Sequence, residues 1–132
     1  MRGSWEILLS LIFLCAVGSA GARADTIYVT NYNGNTISKI TNDGVVSDFV
    51  GGMGGDRGNL LNTPLGLTVD AGGNFFVTNS SDRRIIKVDP TGNTSVFSTS
   101  PNPSQGLAVN KTGDLFIAKV PGSITKITPF HS

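Results

Sequence analysis

The residues of this chain best equipped for chemistry are few. The amides of Asn31, Asn35, Asn79 and Gln105 and the adjacent guanidinium groups of Arg83 and Arg84 can hydrogen-bond a peptide, protein or glycan ligand. The plainer reading makes them solvated turn residues, the asparagines satisfying nearby backbone groups. His131 is the only histidine and stands beside Ser132, so no catalytic triad is expected around it. The lone Cys15 excludes an internal disulfide and a Cys-based zinc site. Gly51-Gly52-Met53-Gly54-Gly55 suggests a phosphate cradle by composition. Such a cradle needs a helix N-terminus after it, whereas Asn59 to Pro64 lead into a strand, so a flexible loop is the expectation. No catalytic residue and no cofactor is assigned.

The chain has 132 residues, one domain's worth, with 10 basic and 9 acidic side chains. A net charge of +1 gives no electrostatic footprint for nucleic acid or an anionic membrane. Charged residues make up 14%, below the usual ~25%, and 17 glycines are about double the usual share. Both figures argue against a helical bundle.

The N-terminal 24 residues read as an export signal. Arg2 is followed by an apolar run from Ile7 to Val17, and Ala22-Arg23-Ala24 fits small-x-small cleavage before Asp25. Eleven residues are too few to cross a bilayer, which takes about 20. An N-terminal core helix and a lipoprotein acylated at Cys15 are the alternatives; Leu14, before that cysteine, disfavours the second. Export implies a secreted or periplasmic protein with no membrane attachment after cleavage. Residues 25–132 contain no Glu, since Glu6 is the only one.

Those residues repeat themselves. A shift of 48 carries Ile27-Tyr28-Val29-Thr30-Asn31 onto Phe75-Phe76-Val77-Thr78-Asn79, Ile37 onto Ile85 and Phe49 onto Phe97. Eight of the 23 positions from Ile27 to Phe49 are identical under it. A shift of 40 carries Gly66-Leu67-Thr68-Val69 onto Gly106-Leu107-Ala108-Val109. The extra eight residues of the first period fall in the glycine-rich Gly51 to Leu61. Each unit holds short β-branched and aromatic runs bounded by turn signals such as Asp70-Ala71-Gly72-Gly73 and Asp89-Pro90-Thr91-Gly92. Four short strands in about 40 residues is the spacing of an antiparallel meander. No useful stretch has a helical apolar period.

The fold expected is all-β, a propeller built of four-stranded blades. The second run of each unit, Ile27-Tyr28-Val29 or Phe75-Phe76-Val77, is apolar on both faces. A sheet with one wet face would alternate there, whereas stacked blades cover both. A β-sandwich or β-solenoid is the alternative.

Pro64-Leu65-Gly66-Leu67-Thr68-Val69-Asp70, Gly73-Asn74-Phe75-Phe76-Val77-Thr78-Asn79 and Arg84-Ile85-Ile86-Lys87-Val88 resemble the NHL repeat. Tyr28-Val29-Thr30-Asn31 with Asn35-Thr36-Ile37-Ser38 resembles the related YVTN repeat. The resemblance implies blade parts over residues 25–50, 64–98 and 104–128, joined by a glycine-rich inter-blade loop at 51–63. That is about two and a half blades, where propellers have four to eight. It points to a fragment of a longer chain, or to self-association that closes the ring. The resemblance also places Asn31, Asn35, Asn79, Arg83, Arg84 and Gln105 near one rim as ligand contacts.

Such propellers include metal-dependent, gluconolactonase-like hydrolases, which hold a divalent cation over the channel with Glu, Asn and Asp. Hard oxygen ligands there polarise an ester carbonyl. The matching positions before Gly66 and Gly106 are Leu65 and Gln105, and Leu65 ligates nothing. A calcium-like cation is expected only where further blades supply ligands, and Asp70 is expected to cap its own turn. The reading is therefore a binding or scaffolding module, the hydrolase or lyase being the alternative and a remnant without function a third. Asn79, Asn93 and Asn110 begin glycosylation sequons, which matter only in a eukaryotic source.

Overall fold

A computed structural model describes residues 26–51, 59–100 and 102–129. The proposed signal and its cleavage site at Ala24 and Asp25, glycines 52–55 and His131 lie outside the described residues. Among those described, ten strands form three antiparallel sheets and no helix. The first sheet is β1 (Ile27–Asn31), β2 (Thr36–Ile40) and β3 (Val46–Val50). The second is β4 (Pro64–Val69), β5 (Phe75–Asn79), β6 (Arg84–Val88) and β7 (Thr94–Thr99). The third is β8 (Ser104–Val109), β9 (Leu115–Lys119) and β10 (Ser123–Ile127). Each is a meander in chain order. The expected strands all form, with ends moved by a residue or two; β8 starts at Ser104 rather than Gly106.

The repeat extends to the irregularities. The β4–β5 register shifts between Pro64 and Leu67, and the β8–β9 register shifts between Ser104 and Leu107. A second shift recurs at Ile37/Ser38 and at Ile85/Ile86. Such bulges add local twist.

The sheets stack as blades. One core cluster joins the first two sheets: Ile37 and Val50 meet Leu67, Phe75, Val77, Ile86 and Val88, with Leu61 from the connecting loop. Tyr28, Phe49 and Phe75 form an aromatic knot there, with ring centroids 4.5 to 5.2 Å apart. A second cluster joins the second and third sheets: Phe76 and Ile85 meet Leu115 and Ile117. Residues of β5 point alternately into the two clusters, so the strand is buried along its whole length. That burial is the physical reason for its unbroken apolar sequence.

The outer faces lack this cover. Phe116 is 37% exposed and Ile124 75%, whereas their repeat equivalents Phe76 and Ile85 are buried. Polar latches hold the inner strands together. Thr30 Oγ1 donates to Leu65 O at 2.9 Å, and its equivalent Thr78 Oγ1 donates to Gln105 O at 2.7 Å. Thr78 Oγ1 also accepts from Gly66 N at 2.8 Å. These bonds satisfy backbone groups that the bulge frees from the ladder.

Candidate functional site

The turns divide between two rims. On one lie the turns inside the Asp70–Asn74, Asp89–Asn93 and Asn110–Asp114 segments, each closed by the same device. Asp70 Oδ1 accepts from Gly72 N and Asn74 N at 2.9 Å, so Asp70 caps its turn as expected. Asp89 Oδ1 does the same for Thr91 and Asn93, and Asn110 Oδ1 for Thr112 and Asp114. Carboxylate and amide have changed places in the third turn. Asn93 and Asn110 are exposed on these turns, and their Nδ2 groups donate to Asp89 and Asp114. A cleft of about 290 Å³ opens on this rim between Asp70–Gly72 and Lys111–Gly113.

The acids here are held ionised by their turns. The Thr91 and Asn93 side chains keep Asp89 far below the usual carboxylate range. Lys126, 3.0 Å from Asp114 Oδ2, holds that carboxyl down at about 2, with help from Asn110 and Thr112. A depressed folded-state pKa stabilises the fold above the unfolded value and loses that effect as pH falls through the folded one. Thermal stability is therefore expected to fall between about pH 4 and pH 2, and to fall less in Asp114→Asn. Melting curves across that range check it; an equal loss in the variant would remove Asp114 as a cause.

The opposite rim carries the sequence candidates, and it is strained. Three non-glycine residues there have left-handed backbones: Asn35 at φ 52°, Thr63 at 48° and Arg83 at 59°. Asparagine tolerates this region, but a β-branched threonine in it is a true outlier. Asn35 and Arg83 are repeat equivalents in the turns after β1 and β5. Asn35 Oδ1 accepts from Thr63 N at 2.7 Å, and Asn35 O accepts from Asn59 Nδ2 at 2.9 Å. Thr63 Oγ1 accepts from Ser81 N at 2.8 Å, and Thr63 O accepts from Ser80 N at 3.0 Å. Arg83 O accepts from Ser100 N at 2.8 Å. The inter-blade loop is thus sewn to the turns of both neighbouring sheets.

Asn35, Thr63, Ser81 and Arg83 come together here, with the Arg83 side chain exposed. Arg84 is half-buried and lies 3.6 Å from the Asp82 carboxylate. The Asn31 amide is committed within its own sheet, donating to Thr36 and Ser38 hydroxyls at 2.7 and 2.8 Å. Gln105 is exposed, and its carbonyl receives the Thr78 latch. Asn79 departs from expectation: it is fully buried, its Nδ2 donating to Leu60 O at 2.8 Å. Leu60 of the inter-blade loop folds over it, so its amide is neither a surface contact nor open to a glycan. Asn79 Oδ1 and Ser100 Oγ are buried with no partner among the described residues. Both flank the turn that holds Arg83. Thr63 was missed by sequence reasoning, which had no signal for a left-handed threonine.

Three blade-like sheets stacked through their faces define a partial β-propeller of the gluconolactonase type. No protein-family model matches the chain, and no curated protein matches it in sequence. Solved structures do match in fold. A Bacteroides thetaiotaomicron protein of unknown function aligns with a TM-score of 0.63 at 22% identity, over 86% of this chain and 37% of that one. Virginiamycin B lyase from Staphylococcus aureus aligns at 0.58 and 18% identity, over 79% and 38%. Regucalcin from Agrobacterium tumefaciens, a calcium-binding protein, aligns at 0.57 and 17% identity, over 80% and 38%. The chain spans about two fifths of the length of such structures. At these identities the likeness is one of fold.

The residues described do not fit a calcium centre. A hard cation needs six to eight oxygens, several of them carboxylate. Leu65 is buried and apolar, and its carbonyl already accepts from Thr30. The Gln105 carbonyl is likewise engaged. No group of three or more acidic, His or Cys side chains gathers among the described residues.

Proposed function

We propose that this chain is an exported binding or scaffolding module, whose ligand contacts the rim built from Asn35, Thr63, Ser81 and Arg83. The observation that carries the reading is the clustering of three left-handed non-glycine residues on that one rim. Such backbones cost of order 1–3 kcal/mol each and gather at ligand clamps, where surrounding bonds hold a surface ready for its partner. Here the bonds among Asn35, Thr63 and Ser81 do that holding. The two unpartnered buried atoms beside the turn support the same place. A rim of amides, hydroxyls and one exposed guanidinium suits a peptide or glycan, which presents carbonyls and hydroxyls in return.

The test is binding of the fluorescently labelled full chain to arrays of immobilised peptides and glycans. A defined set of bound probes is expected, with affinity at least 10-fold weaker for Arg83→Ala and an unchanged circular dichroism spectrum. Equal binding by the variant, or none to either array, overturns the reading. Calcium-dependent opening of a lactone by the native chain would favour the hydrolase alternative instead.

A further inference from the structure

We infer that the open face of the third sheet is an interface with a second copy of this chain, docked through the start of its first sheet. The inference stands apart from the rim reading, because it concerns blade faces.

Both internal interfaces use the same pairing. Tyr28 of the first sheet packs on Phe75 of the second, ring centroids 4.5 Å apart. Its equivalent Phe76 packs in one cluster with Leu115 of the third sheet. The next member of the series is Phe116, and it has no sheet against it. The position that covers it in the pattern is the one held by Phe75 and Leu115. Its equivalent at the start of the chain is Ile27, itself 37% exposed. The chain thus carries both halves of one more interface, at opposite ends of its stack.

The second row agrees. Ile37 and Ile85 are each wholly buried by the following sheet, while Ile124 in that row is 75% exposed. Lys126, whose Nζ lies 5.9 Å from the Phe116 ring centre, is no obstacle. Its equivalent Lys87 lines the cleft edge beside Phe76 and Phe97, between two packed sheets. The net charge of +1 sets up little repulsion between copies. Geometry closes the argument. In a six-bladed ring three sheets span half the circle, so a head-to-tail contact repeated twice returns to its start.

The test uses the full chain with Cys15→Ser, carrying Ile27→Cys and Phe116→Cys together or singly. A short bis-maleimide spanning the roughly 10 Å between packed sheets is the cross-linker. Light scattering is expected to give the mass of two copies, with a cross-linked dimer from the double variant and none above background from either single. Ile124→Asp is expected to weaken dimerisation at least 10-fold with its circular dichroism unchanged, since that side chain is exposed in one copy. A folded monomer, as for a stack covered only by further blades of a longer chain, overturns the inference. So does cross-linking by the single variants, or a dimer indifferent to Ile124→Asp.

Discussion

Phe76→Asp is expected to abolish folding. Phe76 is 4% exposed, its ring meets Phe97 edge-on at 5.0 Å, and it shares a cluster with Ile85, Leu115 and Ile117. Removing the ring alone, as in Phe76→Ala, costs about 3–5 kcal/mol. An unpaired carboxylate in the same place adds several more, because the apolar cluster offers no donor to replace its water. Small domains hold only about 5–15 kcal/mol in total. The variant should therefore lose its sheet signal or appear only as aggregate. Phe116→Asp is the matched control, since it places the same charge at the equivalent, 37% exposed position. It should keep a cooperative melt within a few degrees of the native chain. A soluble Phe76→Asp with an unchanged melt would sink the assignment of β5 to a covered blade.

That pair shows what the sequence could reveal. Phe75-Phe76-Val77 is apolar at every position, and only cover on both faces explains that, so stacking was legible. The repeats at 48 and 40 residues gave the strand order, and Asp-x-x-Gly turns gave most of the ends. The Asp70 cap was legible because its bonds run to Gly72 and Asn74, within the same turn.

The rim was legible only in part, because its structure depends on the inter-blade loop, which the repeat does not encode. Asn31 and Asn79 are identical in sequence context, yet Asn31 bonds within its sheet while Asn79 is roofed by Leu60. Asn35 and Arg83 share a left-handed turn position, and the asparagine alone hints at it. Thr63 gives no such hint. Its backbone is fixed from outside, by Asn35 on one side and Ser80 and Ser81 on the other. Long-range bonds override local preference there, a pattern expected where a surface is shaped for a partner.

Gly66→Ala should be the second most damaging single change, although it adds one methyl group. Gly66 is buried at the β4 irregularity, where a Cβ would lie 2.3 Å from the carbonyl oxygen of Gln105. Leu107 Cδ2 at 2.8 Å and Thr78 Oγ1 at 3.0 Å close the other sides. The leucine tip can swing away, but Gln105 O is backbone and is held by the Thr78 latch. Relief must therefore separate β4 from β8 and break the bonds Thr78 makes to Gly66 and Gln105. Overpacking costs about 1–3 kcal/mol, and two lost buried hydrogen bonds about 1 kcal/mol each. At about 4–8 °C per kcal/mol for a domain of this size, the melting temperature should drop by well over 10 °C. Gly106 stands at the same place in the repeat, but a Cβ there meets nothing within 4 Å. Gly106→Ala should leave the melt unchanged or raise it slightly, through a less flexible unfolded chain. Melting curves of the two variants side by side decide the matter. Equal effects would mean that β4 and β8 do not approach as closely as the stacked blades require.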